Sequence, residues 1–457
     1  MPRRITFLPT KEIIMTRQIE IEYRDPATLV AYHRNARAHP KKQLTELMAS
    51  IARFGFNVPV LINSENEIIA GHARVEAAKR LALETIPTIQ LDHLSDVERR
   101  AFILADNKIA LNASWNVEML SLELLDLGEL DIDLTLTGFS LAEIDSVIDL
   151  GRAADPDGPD QAVQDEVPTV PAKAVTRAGD LFELGQHVLL CGDARNPKEV
   201  ERVMLEDEAD LVFTDPPFNC RINGHVSGLG KVKHREFVMA SGEMSDEEFI
   251  DFLTTTLSAA ASVSKDGAIA FVCMDWHGIE ALLQAGKQAF TELKQLCVWK
   301  KSNGGMGTFY RSKHELVFVF KKGTLPHTNT FGLGETGRYR TNVWEYPGMS
   351  SMTSDRANDL ARHPTPKPVA MVKDAILDCT RRGEIVLDPF AGSGTTLVAA
   401  QSCGRRARLI ELDPLYCDVI IERYQRLTGE CAKLMTTGQT FEELEVERSD
   451  DGQESAT

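Results

Sequence analysis

Long apolar segments are missing from this chain of 457 residues. No run of about 18 uninterrupted apolar residues, the length that a membrane-spanning helix needs, is present. The first residues, MPRRITFLPTKEIIM, lack the apolar core of a secretory signal peptide. We therefore expect a cytoplasmic protein that does not bind membranes.

Cysteine is scarce, and its spacing excludes two kinds of site. All eight cysteines follow residue 190, none forms a CxxC pair, and no histidines accompany them at the spacing of a zinc site. Their thiols are expected to be reduced and mostly buried, and no metal centre is predicted.

Positive charge is in the minority, since 50 Lys and Arg face 68 Asp and Glu, a net charge of −18. Two segments supply over half of the imbalance: residues 151–172 hold five acids and one Arg, and residues 440–457 hold seven acids and one Arg. Residues 220–235 hold four basic residues and no acid, and residues 294–322 hold seven basic residues and one Glu. Because local charge governs attraction to phosphate, a nucleic-acid partner is not excluded. Either basic run alone is equally consistent with a solvated face.

Length and composition predict two domains. Residues 151–177 are rich in Pro, Gly and Asp, which is typical of a solvated linker. This linker separates an N-terminal domain, residues 1–150, from a larger domain, residues 178–439. The acidic residues 440–457 are predicted to form a loosely ordered tail.

The N-terminal domain has the pattern of a compact α+β unit. Apolar residues at helical spacing cover residues 44–54, and short apolar runs at 58–62, 67–70 and 86–91 predict strands. A further helix opens at Gly71-His-Ala-Arg74.

This succession resembles the N-terminal domain of ParB-type proteins over residues 19–112. Part of that family holds a nucleoside triphosphate at the helix start that follows such a glycine, because a helix N-terminus and an arginine both favour phosphate. Ala73 stands where the nucleotide-binding members tend to have a basic residue. The resemblance therefore implies a structural or DNA-docking role in preference to nucleotide binding.

In the larger domain, an apolar strand at 211–213 leads into Asp215, Pro216, Pro217 and Phe218. Two prolines stop the strand and hold a carboxylate and a carbonyl at its carboxyl edge, where open α/β sheets bind ligands. The lone pair of an exocyclic amine is delocalised into its base, and hydrogen bonds from the amine to Asp215 and to the Pro216 carbonyl would localise it. Phe218 would stack on an extruded base. The alternative is an ordinary strand end with a core Phe.

A strand, a glycine-rich turn and a helix follow one another at residues 384–401. Glycines let a ligand approach the backbone, and the helix start favours a carboxylate or phosphate. A later strand ends at Glu411, which is suited to accept hydrogen bonds from ribose hydroxyls. The full GxGxxG fingerprint is absent, so the pattern favours a nucleoside ligand without a pyrophosphate.

Three motifs together closely resemble the amino-group DNA methyltransferases that use S-adenosylmethionine: Asp215-Pro-Pro-Phe218, Phe390-Ala-Gly-Ser-Gly394 and His363-Pro-Thr-Pro-Lys-Pro368. The resemblance covers residues 178–430, and its motif order is that of the β group. It implies an α/β fold, namely a Rossmann-like methyltransferase sheet with a smaller N-terminal α+β ParB-like domain.

The resemblance also assigns roles to single residues. It implies that Asp193 lies near the adenine of the cofactor, Glu411 beside the ribose, and Thr365 and Lys367 at the methionine end. The full predicted cofactor set is Asp193, Thr365, Lys367, Asp388, Phe390, Gly392, Ser393, Gly394, Thr395 and Glu411. The predicted catalytic residues are Asp215, Pro216, Pro217 and Phe218.

Basic and aromatic residues near these motifs are predicted to contact DNA backbone or bases. They are Asn219, Arg221, Lys300, Lys301, Phe309, Tyr310 and Arg311. For the aromatic pair, simple packing is an equal alternative.

These observations predict a site-specific methyltransferase acting on the N6 amine of adenine in double-stranded DNA, with S-adenosylmethionine as cofactor. One alternative is N4 of cytosine, because an aspartate before the two prolines favours adenine without excluding cytosine. A second is a ParB-like DNA-binding protein with an inactive methyltransferase half. Since relatives often pair, we also expect a homodimer.

Overall fold

The computed structural model describes residues 19–130, 132–153, 166–219, 242–302, 304, 310–331, 339–347 and 367–454. The chain divides into two compact units, Met1–Ser140 and Leu141–Thr457. The predicted linker start at residue 151 lies inside a helix of the second unit.

Among its described residues, the first unit has four strands in a mixed sheet of order β1-β4-β2-β3. The strands are β1 (Glu22–Arg24), β2 (Val60–Ile62), β3 (Ile68–Ala70) and β4 (Ile86–Gln90). The helices are α1 (Lys41–Phe54), α2 (His72–Arg80), α3 (Asp96–Ala110) and α4 (Val117–Glu129), with 3₁₀ turns at Pro26–Thr28 and Leu134–Thr137. These elements confirm the predicted α+β succession.

Local sequence explains these elements. Ser95 and Glu98 form a capping box that starts α3. Gly71 precedes α2 with φ 105°, a conformation that glycine adopts without strain. The core comprises Leu29, Val60, Ile62, Ile68, Val75, Ala78 and Ile86.

In the described part of the second unit, ten strands form one sheet of order β11-β9-β10-β8-β7-β12-β13-β6-β5-β14. Strands β8, β7, β12, β13 and β6 run parallel to one another at its centre. The strands are β5 (Leu181–Leu184), β6 (His187–Cys191), β7 (Ala209–Thr214), β8 (Ser264–Met274), β9 (Glu292–Lys300), β10 (His314–Lys321), β11 (Val343–Glu345), β12 (Ile385–Asp388), β13 (Arg406–Glu411) and β14 (Lys433–Leu434).

Helices cover both faces of this sheet, which confirms the predicted α/β class. Alternating residues of β7 show the arrangement, because Leu211 and Phe213 pack into one apolar cluster and Val212 into the other. The helices are α5 (Leu141–Ala153), α6 (Pro197–Met204), α7 (Asp246–Ser262), α8 (Ile279–Ala289), α9 (Val369–Cys379), α10 (Thr395–Cys403), α11 (Pro414–Thr428) and α12 (Phe441–Glu454).

Within the second unit, helix α5 is joined to the start of β13 by a buried ion pair. The guanidinium of Arg405, which is 0% exposed, donates to both carboxylate oxygens of Asp145 at 2.9 Å. It also donates to the carbonyl of Thr380 at 2.8 Å. Four residues further along α5, Asp149 pairs with Lys373 at 3.0 Å, where both side chains are partly exposed.

The prediction of a loosely ordered C-terminal tail is wrong for residues 441–454, which form α12. Leu444 is buried, and the ring of Phe441 lies 6.2 Å from that of Phe182. Arg448 pairs with Asp180 at 2.6 Å. The excess of acidic residues did not predict this docking, because the contacts are made by two apolar residues three positions apart, Phe441 and Leu444, and by one arginine, Arg448.

The predicted linker also contains ordered residues. The backbone amides of Val175 and Thr176 donate to Asp418 at 2.7 and 3.0 Å, and Val167 is buried. Residues 154–165 lie outside the described part of the chain. Within that part, no helix has both the length and the apolar character needed to cross a bilayer.

Candidate active site

Two neighbouring parallel strands bring the predicted motifs together. Strand β7 ends directly before Asp215, and β12 ends at Asp388, directly before the glycine turn. The two strands pair in parallel, with Leu387 opposite Val212. Both motifs therefore leave the same carboxyl edge of the sheet, side by side. Their order along the chain is no obstacle, because the strand order places them next to each other.

The glycine turn presents the start of α10 without a side-chain cap. Gly392 and Gly394 have φ of 54° and 80°, in the left-handed region that favours glycine. A Cβ on Gly394 would come within 3.1 Å of Ile420. Arg423 holds the turn by donating to the Ser393 carbonyl at 2.9 Å. The first amides of α10, beginning at Thr395, are thus suited to an anionic or polar ligand.

Asp388 is buried at the bottom of this turn. Its Oδ2 accepts a hydrogen bond from the Thr396 hydroxyl at 2.6 Å, and its Oδ1 accepts one from the Phe390 amide at 3.1 Å. Burial raises the pKa of Asp388 to about 7, against these hydrogen bonds and with a further contribution from the charge of Asp215. The carboxyl is therefore poised to ionise when a cation approaches.

Glu411 closes the turn from the end of β13. Its Oε2 accepts from the Gly392 amide at 2.8 Å, and its Oε1 accepts from the Asp413 amide at 2.9 Å. Burial raises the pKa of Glu411 to about 7 as well. Two carboxyl groups that titrate near neutrality thus flank one glycine turn.

A cavity of about 580 Å³ lies beside Asp193. Arg195 pairs with Asp193 at 2.7 Å and, by outweighing burial, lowers the pKa of that carboxyl. Phe252 lines the cavity, and its ring lies 5.8 Å from the ring of Phe390. The cavity therefore adjoins the glycine turn, and its volume is in the usual range for a small-molecule pocket.

Asp215 has one occupied and one available carboxylate oxygen. Its Oδ2 accepts from the ammonium of Lys367 at 2.6 Å. Its Oδ1 is buried and has no hydrogen-bond partner among the described residues, although 24% of the side chain is exposed. Burial raises the pKa of Asp215, and Lys367 opposes this shift. A buried acceptor without a donor is suited to an incoming N–H group.

Phe218 lies next to this carboxylate and packs in part against the apolar cluster on one face of the sheet. The ammonium of Lys367 lies 5.5 Å from its ring centroid. Between Asp215 and Phe218, Pro216 is buried and Pro217 is partly exposed. The motif thus places a carboxylate, a rigid backbone turn and an aromatic ring at one strand end.

Comparison with known proteins places this site in a family. Residues 209–422 match the family model of N6 and N4 methyltransferases, described as DNA methylase. Residues 15–108 match the ParB N-terminal domain, and residues 118–178 match the ParB-methyltransferase HTH domain. Residues 209–422 therefore form a DNA methylase domain. The N-terminal part of the chain belongs to the ParB N-terminal domain family.

Individual relatives of the methylase cover its two parts separately. The ParB-like nuclease domain-containing protein YnaK of Escherichia coli K12 is 42% identical over 86 residues, 19% of this chain and 99% of its own. The DNA adenine methyltransferase YhdJ of the same organism is 26% identical over 260 residues, 51% of this chain and 81% of its own. The crystal structure of the M1.HpyAVI–SAM complex is 18% identical with a TM-score of 0.38, covering 51% of this chain and 97% of that one.

The structure of the methylase places several predicted DNA contacts in ion pairs. Lys300 pairs with Glu345 at 2.8 Å on the surface. Lys301 pairs with Glu315, and its ammonium lies 4.7 Å from the ring centroid of Trp299. Tyr310 and Arg311 are exposed.

The side chain of Asn219 forms hydrogen bonds with backbone groups. Its Oδ1 accepts from the amides of Gly242 and Met244 at 3.1 and 3.2 Å, and its Nδ2 donates to the Met244 carbonyl at 2.8 Å. These bonds join Asn219 to Gly242 and Met244. Three further predicted site residues, Arg221, Phe309 and Thr365, lie outside the described residues.

The sequence motifs did not indicate a role for Glu315 or the presence of an HTH domain. Glu315 lies at the start of β10, which runs antiparallel to β8, so this end of β10 meets the carboxyl edge of the parallel strands. A lone acid before an otherwise apolar strand is a signal that could have identified it. The HTH match covers α4 and α5, which the composition of residues 151–177 did not indicate.

Proposed function

We propose that this DNA methylase transfers the methyl group of S-adenosylmethionine to the N6 amine of adenine in double-stranded DNA. The Oδ1 of Asp215, which lies next to the glycine turn and has no hydrogen-bond partner among the described residues, is the observation that carries the proposal. This oxygen and the Pro216 carbonyl accept hydrogen bonds from the two N–H groups of the amine, which localises its lone pair for an in-line attack. The nitrogen–carbon bond forms as the carbon–sulfur bond of the methyl donor breaks, with a thioether as the leaving group, and the amine loses one proton to solvent. Phe218 stacks on the extruded base, a contact worth ~1–3 kcal/mol by analogy with single-strand binders.

The residues around the glycine turn fit the cofactor. Glu411 would accept hydrogen bonds from the ribose, Asp388 would lie towards the methionine end, and the cavity at Asp193 would receive the adenine. Gly392 and Gly394 leave room for close approach. When bound, S-adenosylmethionine supplies an electrophilic methyl group on a sulfonium.

Two observations support adenine over cytosine. An aspartate, Asp215, precedes the two prolines, and this residue favours adenine in the group that the motifs resemble. The relative YhdJ is named a DNA adenine methyltransferase. The test is to methylate duplex DNA with purified protein, digest it to nucleosides and identify the product by mass. N6-methyladenine is the expected product. If N4-methylcytosine is found in its place, the target base is cytosine and not adenine.

Cofactor binding should release protons near neutral pH. Asp388 and Glu411 are each about half ionised at pH 7, since the pKa of each is raised to about 7. A sulfonium and ribose hydroxyls favour their ionised forms, so binding at pH 7 should release roughly half a proton from each. Equivalently, affinity for S-adenosylmethionine should fall as the pH falls below 7.

Calorimetry in phosphate and in Tris, which differ in ionisation enthalpy, measures this release. The two apparent enthalpies should differ at pH 7 and converge above pH 8.5, where both carboxyls are ionised. Glu411→Gln should remove about half of the difference at pH 7. Equal enthalpies in both buffers at pH 7 would contradict the assignment of these carboxyls to the cofactor.

A further inference from the structure

A cluster of alternating charges surrounds the available oxygen of Asp215. The ammonium of Lys367, whose side chain is 6% exposed, lies 2.6 Å from Asp215 Oδ2 and 3.1 Å from Glu315 Oε2. Lys301 pairs with the other oxygen of Glu315. The four groups come from different parts of the chain and have no net charge together when all are ionised.

Because these groups are buried, each ion pair affects the pKa values of the groups that form it. Glu315 is 12% exposed, and burial alone would raise its pKa, but Lys367 and Lys301 lower that pKa to about 2. Asp215 and Glu315 raise the pKa of Lys367 in turn, against the effect of burial. Glu315 and Lys367 are thus both ionised at neutral pH. A buried ammonium between two carboxylates cannot move towards one without losing interaction with the other.

We propose that Glu315 is a positioning residue for methyl transfer: by sharing the Lys367 ammonium with Asp215, it holds Oδ2 of Asp215 in place and leaves Oδ1 free for the amine of the target base. This inference rests on the proposed function of Asp215. Lys301 balances the second oxygen of Glu315, and its interaction with Glu315 counts against a role confined to DNA contact. The effect on the base is indirect, through Lys367 and Asp215.

The charges of the cluster predict the direction in which the pH dependence of kcat shifts when one of them is removed. The charge of Glu315 raises the pKa of Asp215, whereas the charges of Lys367 and Lys301 lower it. Removing the Glu315 charge should therefore shift the acidic limb of kcat to lower pH, and removing the Lys301 charge should shift it to higher pH. The charged and titratable groups that face Asp215 among the described residues are Lys367, Glu315, Lys301, Cys273 and Asp388.

The experiment compares Glu315→Gln, Glu315→Asp and Lys301→Met in the full chain, at saturating S-adenosylmethionine and duplex DNA across pH 5.5–9. Glu315→Gln should lower kcat by about 10- to 100-fold, because a misplaced Asp215 no longer aims the amine. The KM for S-adenosylmethionine should change by less than about threefold, since the ion-pair partners of Glu315 are Lys367 and Lys301, which lie outside the glycine turn. Glu315→Asp, which keeps the charge, should recover part of kcat.

Glu292→Gln is the matched control, because Glu292 pairs with Lys294 on the surface at the far end of β9. It should behave like the wild type. Opposite shifts of the acidic limb in Glu315→Gln and Lys301→Met would support the proposal. Wild-type kcat in Glu315→Gln, or a lower kcat with an unmoved limb in both variants, would overturn it. If Glu315→Gln does not fold, the proposal still requires a shift of the acidic limb to higher pH in Lys301→Met and a lower kcat in Glu315→Asp, and the absence of both would overturn it.

The outcome for the wild type keeps the two proposals separate. Absence of N6-methyladenine with the wild-type protein would refute the proposed function itself. Normal wild-type methylation with unaffected Glu315 and Lys301 variants would refute the positioning role alone.

Discussion

Asp215→Ala should lose methyl transfer by about 10³-fold or more while retaining its affinity for S-adenosylmethionine. The loss follows because a preorganised acceptor at the reacting amine contributes about this much to a rate. Folding should survive, since the buried ammonium of Lys367 keeps Glu315 as a partner at 3.1 Å. Transfer of labelled methyl groups to duplex DNA measures the rate, and calorimetry measures cofactor binding.

Two further variants test whether the loss of activity is specific to the carboxylate of Asp215. Asp215→Asn keeps the shape and one acceptor oxygen but removes the charge, so it should retain more activity than the alanine variant. Asp210→Asn alters an aspartate at the opposite end of the same strand and should leave transfer unchanged. Methylation by Asp215→Ala at near the wild-type rate would refute the role assigned to this carboxylate.

Asp145→Ala should destabilise the second unit by about 3–5 kcal/mol, because it leaves the guanidinium of Arg405 buried without a counter-charge. Arg382, whose guanidinium lies 3.4 Å from Asp145, adds a second cation to the same place. Asp149→Ala on the same helix removes a partly exposed pair and should cost less than about 1 kcal/mol.

Urea unfolding followed by tryptophan fluorescence measures this difference. Trp276, Trp299 and Trp344 belong to the second unit, whereas Trp115 belongs to the first, so the signal reports mainly on the unit that carries Arg405. Equal unfolding midpoints for the Asp145 and Asp149 variants would contradict the stabilising role of the buried pair.

The two buried ion pairs could not be predicted from the sequence, because their members are far apart along the chain. Lys367 and Asp215 are 152 positions apart, and Arg405 and Asp145 are 260 apart. Nothing in the local sequence of either lysine or arginine names its partner. Lys301 was predicted to face DNA because it belongs to a basic run, but the pairing of β9 with β10 places it beside Glu315.

The docking of helix α12 likewise could not be predicted from the average composition of its segment. Its segment was predicted as a loose tail from its charge, yet Phe441 and Leu444 pack against the core and Arg448 pairs with Asp180. Average composition describes a solvated segment well, but two apolar residues at helical spacing are enough to dock it.

Short-range pattern was sufficient to predict the strand and turn structure of the two motifs. A strand stopped by two prolines and a strand followed by a glycine turn are local features, because backbone restriction by proline and freedom at glycine act over a few residues. The α/β class and the ParB-like unit follow from the same kind of signal. The partners of Asp215, the burial of Lys367 and the docking of α5 and α12 depend on strand order and long-range contact. Charges separated by more than a hundred positions meet only once the sheet has formed, and their pKa values then depend on the burial that the fold imposes.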